Sequence, residues 1–140
     1  MAAMNRRSVV KGIGFGAMFS ALGAAAERDG ETVFELRVYH ATEGHQEDVL
    51  RRFREHTVAS FARHSMVSVA YWVPTDEPLA GKTLFYVLKH PSREAATKNW
   101  DAFKVDPEWV KVRTASEANG KIVDHAESTF LKLTDFSPRI

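Results

Sequence analysis

The sequence predicts an α+β fold built on one four-stranded antiparallel sheet. Three observations carry that expectation. Strand-like segments, alternating or rich in β-branched and aromatic residues, recur at 32–40, 66–74, 83–90 and 126–134. One long helical period separates the first two of them. Two shorter helical stretches with cap signals separate the last two, whereas the middle pair is joined only by "TDEPLAGK". The order is therefore β-α-β-β-α-β, the ferredoxin-like arrangement, with helices on one face of the sheet.

Each element has its own justification. In "TVFELRVYH" (32–40) Phe34, Leu36 and Val38 share one face, and Val33, Glu35, Arg37 and Tyr39 share the other. The pattern does not decide which face meets the helices. "ATEGHQ" then breaks the strand at Gly44. From 46 to 64 Val49, Leu50, Phe53, Thr57 and Phe61 form an apolar stripe at about 100° per residue, with Arg51, Glu55 and Ala62 opposite. On that wheel His64 falls near mid-stripe and His56 on its border, with Ser60 between them, so both histidines are expected to lean inward. The expected work of His64 is structural, packing in the core and bonding nearby main chain at the helix end. "MVSVAYWVP" ends at Pro74, and "TLFYVLKH" is apolar enough to suggest cover on both faces. Ser92 is a plausible N-cap for the next helix, which sets Ala96, Trp100 and Phe103 on one side. Asp106 with Pro107 opens a further helix, and Gly120 follows its end.

Composition narrows the function classes. The chain has 140 residues, 44% of them hydrophobic, which suits one domain. It has no cysteine, so thiolate catalysis, disulfides, iron–sulfur clusters and Cys-ligated zinc are excluded. Its formal charge is +1, with no basic stripe, and no nucleic-acid partner is expected. No run of about 18 apolar residues marks a membrane span. The segment 1–26 reads instead as an export signal, with Arg6 and Arg7 adjacent, a mildly oily glycine-rich run, and Ala24 and Ala26 in an A-x-A cleavage pattern. It resembles a bacterial twin-arginine (Tat) signal. The expected product is a periplasmic or extracellular protein with a short linker at 27–31 and a domain over 32–138. Beyond residue 26 the chain has 16 basic and 18 acidic side chains, net −2, so the basic balance belongs to the signal.

"FELRVYHATEGHQEDVLRRFREHTVASFARHSMVSVAYW" and "DPEWVKVRTASEANGKIVDHAESTFLKLTDFSP" resemble the NIPSNAP family, over almost the whole chain beyond the signal. The specific pieces are Glu35-Leu36-Arg37 with Tyr39, the helix of His56 and His64, Tyr71-Trp72, Asp106-Pro107-Glu108-Trp109 and Asp135-Phe136. The resemblance implies a homodimeric α/β barrel, related in fold to cofactor-free monooxygenases, EthD-like proteins and haem-degrading proteins. It implies no activity and brings no catalytic residues. At Ser65-Met66 the chain departs from the family pattern, where a glycine often follows the histidine.

Two apolar sheet faces and helices for only one also call for a second subunit. For chemistry, the expected site is an apolar cavity binding a small organic ligand. His56, Ser60, Tyr71, Trp72 and Trp100 are its candidate lining. Arg37 is the candidate anchor for a carboxylate or enolate oxygen, His56 the candidate proton carrier, and Tyr39 a further catalytic candidate. The competing reading of Arg37 is a simple pair with Glu35 on the same strand. No metal is expected. His56 and His64 are about 12 Å apart along a helix, and His40 and His45 only flank a turn. No cofactor is expected either; a haem held by His56 or His64 is the lesser alternative. Two function classes stay open: a cofactor-independent oxygenase or isomerase, and a non-catalytic binding or interaction protein. A cavity lined by convergent His, Arg and Tyr favours the first, and a core packed shut by Phe53, Phe61 and Trp100 the second.

Overall fold

The computed structural model describes residues 31–140. The expected signal at 1–26 and nearly all of the linker lie outside them. The described chain runs β1 (Val33–Ala41), α1 (Gln46–Arg52), a π-helical turn (Phe53–Thr57), α2 (Val58–Arg63), β2 (Val67–Trp72), β3 (Thr83–His90), α3 (Arg93–Val105), α4 (Pro107–Ser116) and β4 (Val123–Leu131). The strands form one antiparallel sheet in the order β2-β3-β1-β4. The α+β, ferredoxin-like class read from the sequence is the one observed.

Glu35, Arg37 and Tyr39 face the helices, opposite Leu88, Tyr86 and Leu84 of β3. The core between the layers is aromatic: Phe53, Phe61, Tyr86, Trp100, Phe103 and Trp109 are all buried there with Val49, Met66 and Leu88. The helices lie over β2 and β3, and β4 is exposed along most of its length. On the outer face Phe34 lies under the C-terminal tail, beside Leu133 and Ile140. Val67, Trp72 and Leu131 of that face are exposed. The cover that the apolar run of β3 suggested for both faces is only partial within one chain, since Phe85, Val87 and Lys89 are half-buried.

Three local expectations are corrected. β4 begins and ends three residues before the 126–134 segment, because pairing with β1 outweighs the poor strand propensity of Asp124 and His125. The 46–64 helix is interrupted by the π turn, whose Val58 N–H donates to the Phe53 carbonyl while the Thr57 hydroxyl donates to the Arg52 carbonyl at 3.2 Å. That turn sends Arg52 inward, where it is 6% exposed. Finally, the histidines do not both lean in: the His56 side chain is 50% exposed and that of His64 19%.

The side-chain partner of His64 is a carboxylate, where main chain was expected. His64 Nε2 lies 2.7 Å from Asp106 Oδ2, and its ring meets the Phe103 edge. Asp106 in turn caps α4 by accepting from the Glu108 N–H, as Ser92 caps α3 by accepting from Ala95. The His64 hydrogen bond, helped by that cap, holds the Asp106 carboxyl below its ordinary value.

The departure at Ser65 has a clear geometry. The N–H of Met66 donates to the Phe61 carbonyl and that of Ser65 to the Ala62 carbonyl, the two bonds of a Schellman helix end. Ser65 occupies its left-handed position, with φ +59°, where a Cβ is disfavoured. Ser65→Gly is therefore expected to raise stability by about 0.5–1 kcal/mol, read from urea midpoints at an unchanged slope. A loss of stability instead contradicts the strain.

Candidate functional site

β1 and α3 together build a polar centre inside the helix-facing layer. Glu35 is 1% exposed and receives four donors. His90 Nε2 lies 2.9 Å and Trp100 Nε1 2.7 Å from Oε2, while Ser128 Oγ lies 2.8 Å and Arg37 Nη1 3.1 Å from Oε1. Burial alone raises the Glu35 pKa. The bonds from His90, Trp100 and Ser128 and the Arg37 charge outweigh it, and the carboxyl is held at about 2. An ionised Glu35 saturated with donors is an anchor and not a proton shuttle. It also fixes the His90 tautomer: Nε2 carries the donated proton, and Nδ1, buried, has no partner among the described residues.

Arg37 is the chemically open member. Its guanidinium carbon stands 4.5 Å from the Trp100 ring centroid and 5.7 Å from that of Tyr39. The side chain is 19% exposed, beside the uncovered helix-side edge of β4 where Ser128 sits. Arg37 Nε is nevertheless buried with no hydrogen-bond partner among the described residues, and the same holds for the hydroxyl of Tyr86, its cross-strand neighbour. Burial pushes the Tyr86 phenol well above its ordinary value, so it is a neutral donor. Arg37 and Tyr86 interact with each other and with Tyr39 but fall short of full hydrogen bonds, and buried polar groups so incompletely bonded are unusual in a folded protein. Together they suit one acidic oxygen.

The candidates from the sequence divide among four places. Arg37, Tyr39 and Trp100 come together at this shelf. Tyr71 lies on the far side of Tyr86, ring centroids 5.5 Å apart, its hydroxyl 2.6 Å from Ser68 Oγ. Trp72 is on the outer face of the sheet, 51% exposed. His56 and Ser60 line a cleft between α2 and α4, which continues into a groove of about 510 Å³ containing Asp48, Arg51, Glu55, Glu108 and Lys111. There His56 is not near Arg37, and the acids and bases offset one another. His64 has its Nε2 occupied by Asp106, which leaves that atom unavailable as an axial ligand. His45 pairs with Asp48 at 2.8 Å and not with His40. The pair of Glu35 with Arg37 forms, within a larger network.

Sequence reasoning missed His90, Ser128 and Tyr86 at the centre, and Arg52 elsewhere. Arg52 reaches Ser116 at 3.1 Å and Glu117 at 3.3 Å beneath α4. The only sequence signal for the centre was an acid, Glu35, on a strand whose face had to be buried.

A four-stranded antiparallel sheet with helices on one side defines the broad class. The chain belongs to the NIPSNAP family, whose profile matches residues 34–138. Among solved structures, a NIPSNAP-like domain protein from Burkholderia xenovorans is similar, with 14% identity and a TM-score of 0.68 over 79% of this chain and 91% of its own. A NIPSNAP family protein from Agrobacterium tumefaciens has 21% identity and a TM-score of 0.66, over 76% and 97%. SnoaB, a cofactor-independent oxygenase from Streptomyces nogalater, has 15% identity and a TM-score of 0.53, over 78% and 99%. These likenesses are of fold. No curated protein sequence matches the chain.

Proposed function

We propose that this protein is an exported NIPSNAP barrel that binds a small, largely apolar organic acid on the Arg37 shelf. The observation that carries the reading is the pair of buried, incompletely bonded groups, Arg37 Nε and the Tyr86 hydroxyl, which interact with each other and with Tyr39 but make no full hydrogen bond, beside the rings of Tyr39 and Trp100. The guanidinium supplies charge and a fixed fork, the rings supply apolar walls, and Glu35 holds the guanidinium in place from behind. Export by the Tat route rests on the Arg6-Arg7 and Ala24-Ala26 pattern. No described helix is long and apolar enough to cross a membrane. A homodimer rests on the outer sheet face, where Val67, Trp72 and Leu131 await cover.

Whether the ligand is turned over divides two readings. The oxygenase reading draws on the SnoaB likeness, and needs no cofactor. The non-catalytic reading draws on the core: Phe53, Phe61 and Trp100 are buried and meet edge to face, which keeps a ligand near the shelf's rim. One experiment addresses binding and turnover together. Small molecules extracted from the natively exported protein are identified by mass spectrometry, for wild type and Arg37→Met, and then re-added under isotopically labelled dioxygen. An organic acid retained by wild type and depleted about 10–100-fold in Arg37→Met supports the site. Label in the product selects the oxygenase. Retention of the same molecule by both proteins removes Arg37 from the reading.

A further inference from the structure

A second chemically distinct cluster lies on the outer face of the sheet, away from the Arg37 shelf. His40 stands near the end of β1, opposite His125 of β4, and Glu127 stands two residues further along the same face. One ligand atom from each lies within 4.8 Å of the others. The two imidazoles face one another at 4.1 Å between centroids and 11° between planes. His40 Nε2 is buried and makes no hydrogen bond to a described residue; Glu127 Oε1, at 3.7 Å, is too far for one.

The backbone explains why these side chains meet. The β1–β4 register slips between His40 and Ala41, so that Asp124 is the extra residue on β4. Such a bulge re-aims side chains. Here it brings the Asp124 carboxylate beside the ring of its neighbour, with Oδ2 2.7 Å from His125 Nδ1. The His125 Nε2 is thereby left as the ligating atom, oriented from behind by a carboxylate, as is usual for metal-bound histidine.

We infer that His40, His125 and Glu127 form a binding site for a zinc-class divalent cation. Two imidazoles and a carboxylate are a donor set for such an ion, with a fourth position left to water. Ligation requires the rings to tilt out of their parallel stack so that each lone pair points at the ion. Within one chain the side chains of His125 and Glu127 are 55% and 62% exposed and that of His40 25%, so the tilt falls mainly on His125 and Glu127. All three ligands come from one chain, which sets one ion per chain. The site is separate from the organic-acid reading and stands or falls without it.

The test is a titration of the full chain with zinc against a chromophoric chelator, repeated with cobalt to read coordination from the visible spectrum. The expected result is one ion per chain with Kd below about 100 µM. His40→Ala and His125→Ala are each expected to weaken binding at least about 30-fold and to abolish the four-coordinate cobalt bands. Asp124→Asn is expected to weaken it about 10-fold, through the orientation of His125, and His45→Ala to leave it unchanged. A Kd above about 100 µM overturns the site, as does an affinity that survives both ligand substitutions. His125, Asp124 and Glu127 are exposed and His40 is partly buried, and circular dichroism of each variant confirms that a loss of binding is not a loss of fold.

Discussion

Glu35→Ala is expected to destabilise the protein by about 3–5 kcal/mol, because it strands four donors inside the fold. His90 Nε2, Trp100 Nε1, Ser128 Oγ and Arg37 Nη1 all end on this one carboxylate. Glu35→Gln does not rescue it, since the amide turns an N–H toward atoms that are themselves donors. The effect has a pH signature. The folded pKa of about 2 lies below the ordinary value of 4.5, so the contribution, about 3 kcal/mol, is complete above about pH 4.5 and is lost as pH falls towards 2. Urea unfolding of wild type and Glu35→Gln across that range is expected to give a gap that narrows as the solution is acidified. A gap independent of pH contradicts an ionised Glu35 in the folded protein.

Phe61→Ala is expected to cost a similar amount, about 3–5 kcal/mol, by a different mechanism. Phe61 is fully buried, and its ring centroid lies within 6.0 Å of those of Phe53, Tyr86, Trp100 and Phe103. Aromatic neighbours on several elements cannot collapse together into the space one ring leaves, so most of the cavity persists. Tm is expected to fall by more than about 10 °C. A fall of only about 1–2 °C means that the core relaxes freely, and the closed-core argument for a ligand kept near the rim is lost.

The fold was legible because its signals are local. Two-residue alternation placed β1, a short apolar run placed β3, and Ser92, Asp106 and Pro107 placed the starts of α3 and α4. β4 was misplaced by three residues because Asp124 and His125 are poor strand formers in isolation and are strand only through β1. The π turn left no mark: a helical wheel assumes one uniform period, and the Thr57–Arg52 bond that accompanies the turn is an accident of local geometry.

The site was legible only by halves. Arg37, Tyr39 and Trp100 were chosen for chemical character, and they do meet. What joins them is Glu35 with His90 and Trp100, which lie 55 and 65 residues away along the chain. No spacing rule reaches that far without the strand register. His56 shows the converse. Its wheel position favoured a cavity, but the border of the stripe faces α4, not the sheet. His40 and His125 likewise meet only because β1 and β4 are neighbours.

The central claim is that Arg37 holds the acidic oxygen of an otherwise apolar ligand. Calorimetric titration with 2-naphthoate and with its uncharged amide, 2-naphthamide, tests it most directly, on wild type and on Arg37→Met. The acid is expected to bind wild type about 10–100-fold more tightly than the amide, and that preference is expected to vanish in Arg37→Met while weak binding of the amide is kept. Equal binding of acid and amide by wild type, or a preference that survives the substitution, contradicts it.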